Sequence, residues 1–276
     1  MTDQAEKIAE PAPSDDMLTI ARQGAVAVVM LNRPKARNAL SLGMIAALHG
    51  AIDDLSGDDT VSVIILRAEG PAFCAGHDLK ELTVHRGDDD RGRDFYEETM
   101  RRCAAMMQSI VHSPKPVIAA VHATATAAGC QLVATCDLAV AADTAHFATP
   151  GVNIGLFCSS PMVALSRNVS RKQAMEMLLL GEMLPAHQAR DYGLVNRVVP
   201  ADQVMAEATK MAETIASKSP LTVAIGKEAF YRQLELDLGE AYDLAADAMV
   251  RNMLARDAEE GINAFIEKRT PTWEGR

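Results

Sequence analysis

Two stretches of the 276-residue chain place small residues where the backbone leaves an apolar run: EGPAFCAGHDLKEL (69–82) and HATATAAGC (122–130). Small side chains let a ligand reach main-chain N–H groups. A helix starting near Ala127 or Ala128 adds its unpaired first-turn donors and its dipole. Two such N–H groups converging on one point make an oxyanion hole, where each donor is worth about 3 kcal/mol of barrier lowering. The same turns also serve packing alone, because a glycine-rich corner lets a helix lie close on a strand.

The elements that must hold these stretches are legible from periodicity. MLTIARQGAVAVVMLNRP predicts two strands around a Gln23–Gly24 turn. SLGMIAALHGAIDDL predicts a helix capped by Ser41, with Ile45, Leu48, Ile52 and Leu55 on one face. VSVIILRAEG and KPVIAAVHA are buried strands, 93–112 a helix, GCQLVATC a short helix and DLAVAAD a strand. This alternation predicts an α/β fold with largely parallel pairing over residues 17–200. From 201 to 276 four helix-like segments follow without a strand, a layer for the core or for a neighbouring subunit. Residues 1–16 are acidic and contain proline, and read as a solvated, disordered tail. HRGDDDRGRD (85–94) reads as a solvated loop.

The bulk numbers narrow the partners. A net charge of −10 argues against nucleic acid, and no apolar run reaches the roughly 18 residues that span a bilayer. The N-terminus has no apolar core, and its acids are unlike a transit peptide. Cys74, Cys103, Cys130, Cys136 and Cys158 are odd in number and irregularly spaced, without metal-ligand spacing. The expectation is a cytoplasmic protein with free thiols and no metal or cofactor.

AFCAGHDLKEL, then AAGCQL and CDLAVA, resemble the enoyl-CoA hydratase/isomerase (crotonase) family. LNRPKARNALS, FATPGVNIGL, LLLGEMLPAHQARDYGLVNRVVP and SPLTVAIGKEAF extend the likeness, in the family's order, over about residues 17–268. GHDLKEL, ATAAGCQLVATCD, FATPGVNIGLFCS and EGINAFIEKRTPTW most resemble its domain-containing protein 3 group. The resemblance implies a ClpP-like spiral of ββα units, with C-terminal helices that pack homotrimers, often as dimers of trimers. It implies an acyl-CoA thioester as ligand, with coenzyme A entering only as part of the substrate. The oxyanion donors map onto the N–H groups of His77 and Ala128, the latter provided its φ is negative. The adenine and pantetheine map onto the segment holding Ala75, Asp78, Leu79 and Lys80. Lys35, Arg37 and Lys227 map near the coenzyme A phosphates, although each basic residue also reads as a solvated surface charge.

Hydratases of this family carry two glutamates that hold and activate water. Their positions are Gln131 and Gly151 here. An amide positions a water without taking its proton, and glycine offers nothing, so the usual hydration is severely impaired. Restoring Gln131→Glu with Gly151→Glu would return it if the frame is intact. In NIGLFCSSP, Cys158 and Ser159 occupy a region where some relatives hold a catalytic aspartate. A thiol there suggests nucleophilic attack on a thioester, against the ordinary reading of a buried, inert cysteine. His77 offers a side-chain proton, while Asp78 serves to fix the loop. His122 and His146 read as packed residues and Asp137 as a turn cap. Three readings stay open: an enzyme using the oxyanion hole for isomerisation or thioester hydrolysis, a non-catalytic acyl-CoA binder or regulator, and a subunit supporting an active paralogue.

Overall fold

The computed structural model describes residues 17–276, and the tail expected over residues 1–16 lies outside the described residues. Strands β1 (Leu18–Gln23) and β2 (Val26–Leu31) form the expected hairpin, followed by helix α1 (Leu42–Ser56). Ser41 caps α1 by accepting the Met44 N–H, and Ile45, Leu48, Ile52 and Leu55 are buried along it. Strands β3 (Val63–Ala68) and β4 (Ala72–Cys74) lead to α2 (Leu79–Val84) and α3 (Arg93–His112). Next come β5 (Val117–Val121), β6 (Thr124–Thr126) and α4 (Ala128–Thr135). Then follow β7 (Leu138–Ala142), β8 (His146–Ala148), α5 (Pro161–Asn168) and α6 (Arg171–Leu180). The chain closes with β9 (Leu184–Pro185), α7 (Ala186–Tyr192), β10 (Arg197–Val199), α8 (Val204–Ala216), α9 (Pro220–Gln233), α10 (Leu238–Met253) and α11 (Arg256–Glu267).

The strands build two sheets, in the orders β1-β2-β3-β5-β7-β10 and β4-β6-β8-β9. The pairs β2–β3, β3–β5, β5–β7 and β7–β10 are parallel. Each turn of chain thus lays a long strand in the first sheet, a short one in the second, and then helix. Strands buried on both faces read as continuous apolar runs, which is why β3 (VIILRA) and β5 (VIAAV) lack alternation. Phe73 and Phe147, from the short strands β4 and β8, fill the space between sheets and helices. Truncating either to alanine would cost about 3–5 kcal/mol.

Helix α8 packs across β2, β3, β5 and β7 and belongs to the core layer. The helices after it do not: along α10 no residue is buried, and Leu238 (76% exposed), Leu254 (83%) and Phe265 (86%) face outward. Ion pairs across α9 and α10, such as Arg251 with Glu228, hold this outer unit together. Asp257 fastens the chain end, its carboxylate accepting from the Ser219 hydroxyl and from the N–H groups of Glu274 and Gly275. Among the described residues no helix is long and apolar enough to cross a membrane.

Candidate functional site

The loop after β2 is fixed by one buried amide. Arg37 and Asn38 both take left-handed backbone (φ 51° and 52°), which Asn tolerates better than most residues. Fully buried Asn38 donates from Nδ2 to the Glu69 and Ala72 carbonyls, and its Oδ1 accepts the Arg33 N–H. The loop then runs alongside residues 75–78. The Ala75 N–H donates to the Arg37 carbonyl, Leu40 N–H to Gly76, and Asp78 N–H to Leu40. Asp78 Oδ1 caps α2, accepting from Lys80 and Glu81 N–H, while Oδ2 lies 3.3 Å from the Arg33 guanidinium. The Asp78 carboxylate is therefore committed to holding the loop. Arg33 and Asn38 were not among the residues singled out from sequence. The preference of Asn for left-handed turns was the available signal for Asn38.

The two small-residue stretches meet at one corner. Gly76 (φ 93°) faces the start of α4 so closely that a Cβ on it would lie 2.8 Å from Ala127 Cβ and 3.2 Å from the Ala128 nitrogen. The Thr126 hydroxyl donates to the Ala75 carbonyl at 3.1 Å. A Cβ on Gly129 would fall 2.1 Å from the Cys74 carbonyl oxygen, so α4 rests directly on β4. Ala127 takes φ 51°, ψ −121°, a conformation costly for any residue with a Cβ. Its N–H donates to the Ala148 carbonyl at 2.8 Å. Ala128, with negative φ, opens the helix. Neither the His77 nor the Ala128 N–H donates to another described group. The corner thus offers two free N–H donors on abutting segments, the arrangement an oxyanion requires.

Carboxylates do not stand beside it at the positions read from sequence. Gln131 is 5% exposed; its N–H donates to the Ala127 carbonyl, and its Oε1 has no partner. Gly151 is clamped by its own loop. The Leu156 N–H donates to the Gly151 carbonyl, and a Cβ there would lie 2.9 Å from both Cys158 Sγ and the Leu156 oxygen. Restoring a glutamate at 151 therefore demands that this loop move, which the simple reading of a removable side chain overlooked. Burial raises the Cys158 thiol above its ordinary value despite an opposing hydrogen bond with the Gly151 backbone. That keeps it from being a ready thiolate nucleophile. Ser159 is exposed, and its hydroxyl donates only to the Phe157 carbonyl at 3.4 Å. Burial lowers the His77 pKa and favours the neutral ring. His122 Nε2 lies 2.7 Å from the Gly70 carbonyl, and His146 Nδ1 3.0 Å from that of Thr144.

Lys227 and Asp137 need correction. Lys227, its side chain 6% exposed, donates to the Ile110 and Lys115 carbonyls and to Asp137 Oδ2 at 2.7 Å. All three of its protons are used within the chain, so none is left for a phosphate. Asp137 also accepts from the Val117 N–H and the Tyr231 hydroxyl, so it joins β5, β7 and α9 rather than capping a turn. Lys35, Arg37 and Lys80 are exposed and carry no ion pair among the described residues, and Leu79 is half exposed. A cleft of about 490 Å³ opens elsewhere, between the end of α3 and helices α9–α10, lined by His112, Leu221, Ile225, Arg251 and Leu254. None of the corner residues lines it.

Residues 21–276 match the family model for enoyl-CoA hydratase/isomerase. The chain belongs to the enoyl-CoA hydratase/isomerase family. It is 50% identical to the mitochondrial enoyl-CoA hydratase domain-containing protein 3 of Rattus norvegicus, over 94% of this chain and 85% of that one. Among solved structures it resembles an enoyl-CoA hydratase of Mycobacterium smegmatis (TM-score 0.89, 49% identity, 94% and 99% covered). It equally resembles human enoyl coenzyme A hydratase domain-containing protein 3 (TM-score 0.89, 48% identity, 94% and 100% covered). The two-sheet spiral is accordingly the crotonase fold of this family. The cytoplasmic expectation is overturned by these relatives, since the rat, mouse and human proteins are all named as mitochondrial. Free thiols and an acidic start do not distinguish one reducing compartment from another.

Proposed function

We propose that this family member binds an acyl-CoA thioester at the corner of Gly76 and Ala127–Ala128, with the thioester oxygen between the His77 and Ala128 N–H groups. The observation that carries this is the pair of unengaged N–H donors on segments packed against each other. The exposed cations Lys35 and Arg37 flank the 75–80 segment through the Ala75–Arg37 hydrogen bond, which suits the coenzyme A phosphates. Ala75, Leu79 and Lys80 border the adenine and pantetheine in this reading.

Polarising the carbonyl acidifies the α-carbon and favours attack on the thioester. With Gln131 and Gly151 in place of carboxylates, two-glutamate hydration is not the chemistry favoured, because each positioned acid–base group is worth roughly 10²–10⁴ in rate. Isomerisation or α-proton exchange through a polarised thioester remains open to the site. Cysteine-based thioester hydrolysis is disfavoured by the raised Cys158 thiol. A second reading, a non-catalytic acyl-CoA binder, draws support from the neutral His77 and from the uncharged residues at 131 and 151. The outward apolar faces of α10 and α11 suit a homotrimer or a dimer of trimers.

Incubating the protein with saturated and enoyl-CoA esters in D₂O and reading products by mass spectrometry separates these readings. Deuterium uptake or double-bond migration supports the enzyme. Ester binding without any mass change favours the binder, and no binding of any ester sinks the proposal.

A further inference from the structure

Three side-chain atoms at this corner are buried without a hydrogen-bond partner: His77 Nε2, Gln131 Oε1 and the Thr149 hydroxyl oxygen. Buried polar atoms are nearly always satisfied, so orphans gathered at one place call for a missing partner. Their gathering follows from the backbone. His77 adjoins Gly76, which abuts Ala127 and Ala128. Gln131 donates its N–H to the Ala127 carbonyl, one turn into α4. Helical side chains lean toward the N-terminus, which carries the Gln131 amide back toward Ala127 and Ala128. Thr149, fully buried, directly follows Ala148, whose carbonyl takes the Ala127 N–H.

We infer that Gln131 and Thr149 form a hydroxyl-recognition pair, and that the acyl-CoA ligand of this site is a 3-hydroxyacyl thioester. The inference rests on the acyl-thioester reading above and names the substrate class within it. With the thioester oxygen at the His77 and Ala128 N–H groups, Gln131 stands three residues along α4, a rise of about 4.5 Å. A hydroxyl on the third acyl carbon spans a similar distance from the carbonyl. That hydroxyl donates to Gln131 Oε1 and accepts from Thr149. A saturated or enoyl chain offers no donor there and leaves the buried amide oxygen unsatisfied. A 3-oxo group offers only an acceptor. It would be preferred if the Gln131 amide were turned over to present its NH₂ instead.

Titration calorimetry on the wild-type protein with four CoA esters of equal length tests this: butanoyl, but-2-enoyl, 3-hydroxybutanoyl and 3-oxobutanoyl. The 3-hydroxy ester is expected to bind roughly tenfold more tightly than butanoyl. Gln131→Met and Thr149→Val, close in size, should each draw that ratio toward one. Equal affinities for all four esters, or tightest binding of the 3-oxo ester, overturns the inference while leaving the acyl-thioester reading intact. No binding of any ester overturns both. The wild-type comparison stands whether or not either variant folds.

Discussion

Replacing Gly151 by alanine should destabilise the protein measurably, although it adds a single methyl group. That methyl would sit 2.9 Å from Cys158 Sγ, 2.9 Å from the Leu156 oxygen and 3.4 Å from the Cys158 nitrogen. Carbon contacts settle near 3.5–4.0 Å, so the loop must retreat by roughly 0.5–1 Å. Overpacking of this kind costs about 1–3 kcal/mol. At about 2–4 °C per kcal/mol for a chain of this size, Tm should fall by roughly 2–12 °C. Differential scanning calorimetry on wild type, Gly151→Ala, Cys158→Ala and the double variant supplies a complete cycle. Cys158→Ala removes the sulfur but leaves the Leu156 oxygen, so it should return part of the loss, with a coupling of at least about 0.5 kcal/mol. A Gly151→Ala protein melting within 1 °C of wild type would refute the argument. The loop would then yield freely, and a glutamate could be accommodated at 151. If the clash is real, Gln131→Glu with Gly151→Glu will not recover hydration unless the Cys158 loop is also relieved.

Other expectations follow from the same contacts. Lys227→Met should cost about 3–5 kcal/mol in chemical denaturation, because it leaves Asp137 without its cation in a mostly buried network; a loss below 1 kcal/mol would contradict that burial. Ala127→Gly should stabilise by about 1 kcal/mol, relief of positive-φ strain outweighing glycine's extra unfolded-state freedom, and an unchanged or lowered Tm would speak against the strain. The folded pKa of His77 lies below its ordinary value because burial disfavours the charged ring. Its neutral form therefore supports folding above about pH 6.5, and that support is lost as pH falls below the unfolded value toward the folded one. His77→Gln should flatten the loss of stability between pH 7 and pH 5; an unaltered slope would show that other groups carry it.

The main sheet and its helices were legible because their signals are local. Ser41 with the Ile45, Leu48, Ile52 and Leu55 face specified α1, and the apolar runs at 63–68 and 117–121 specified β3 and β5. The second sheet was not legible, because β4, β6 and β8 are three residues each, too short for any periodicity. The two small-residue stretches pointed to the corner, but their convergence is set by a sheet the sequence hides. Lys227 illustrates a different limit. A basic residue on an amphipathic helix reads as a surface charge or a phosphate partner, and only the fold reveals two carbonyls and a carboxylate around it. Thr149 gave no signal, since burial without a partner is a tertiary property.

The strand order of the large sheet also bears on how the chain folds during synthesis. β1, β2, β3, β5, β7 and β10 lie side by side in the order in which they leave the ribosome. Each parallel strand therefore joins an edge that already exists, and none has to be inserted between two earlier ones. Parallel pairing is slow and leaves edges open to aggregation while later strands are awaited. Growth at a single edge confines that exposure to one strand at a time. Chains truncated after β3, β5 or β7 should gain protease resistance stepwise; a single jump only at full length would mean that the sheet forms all at once.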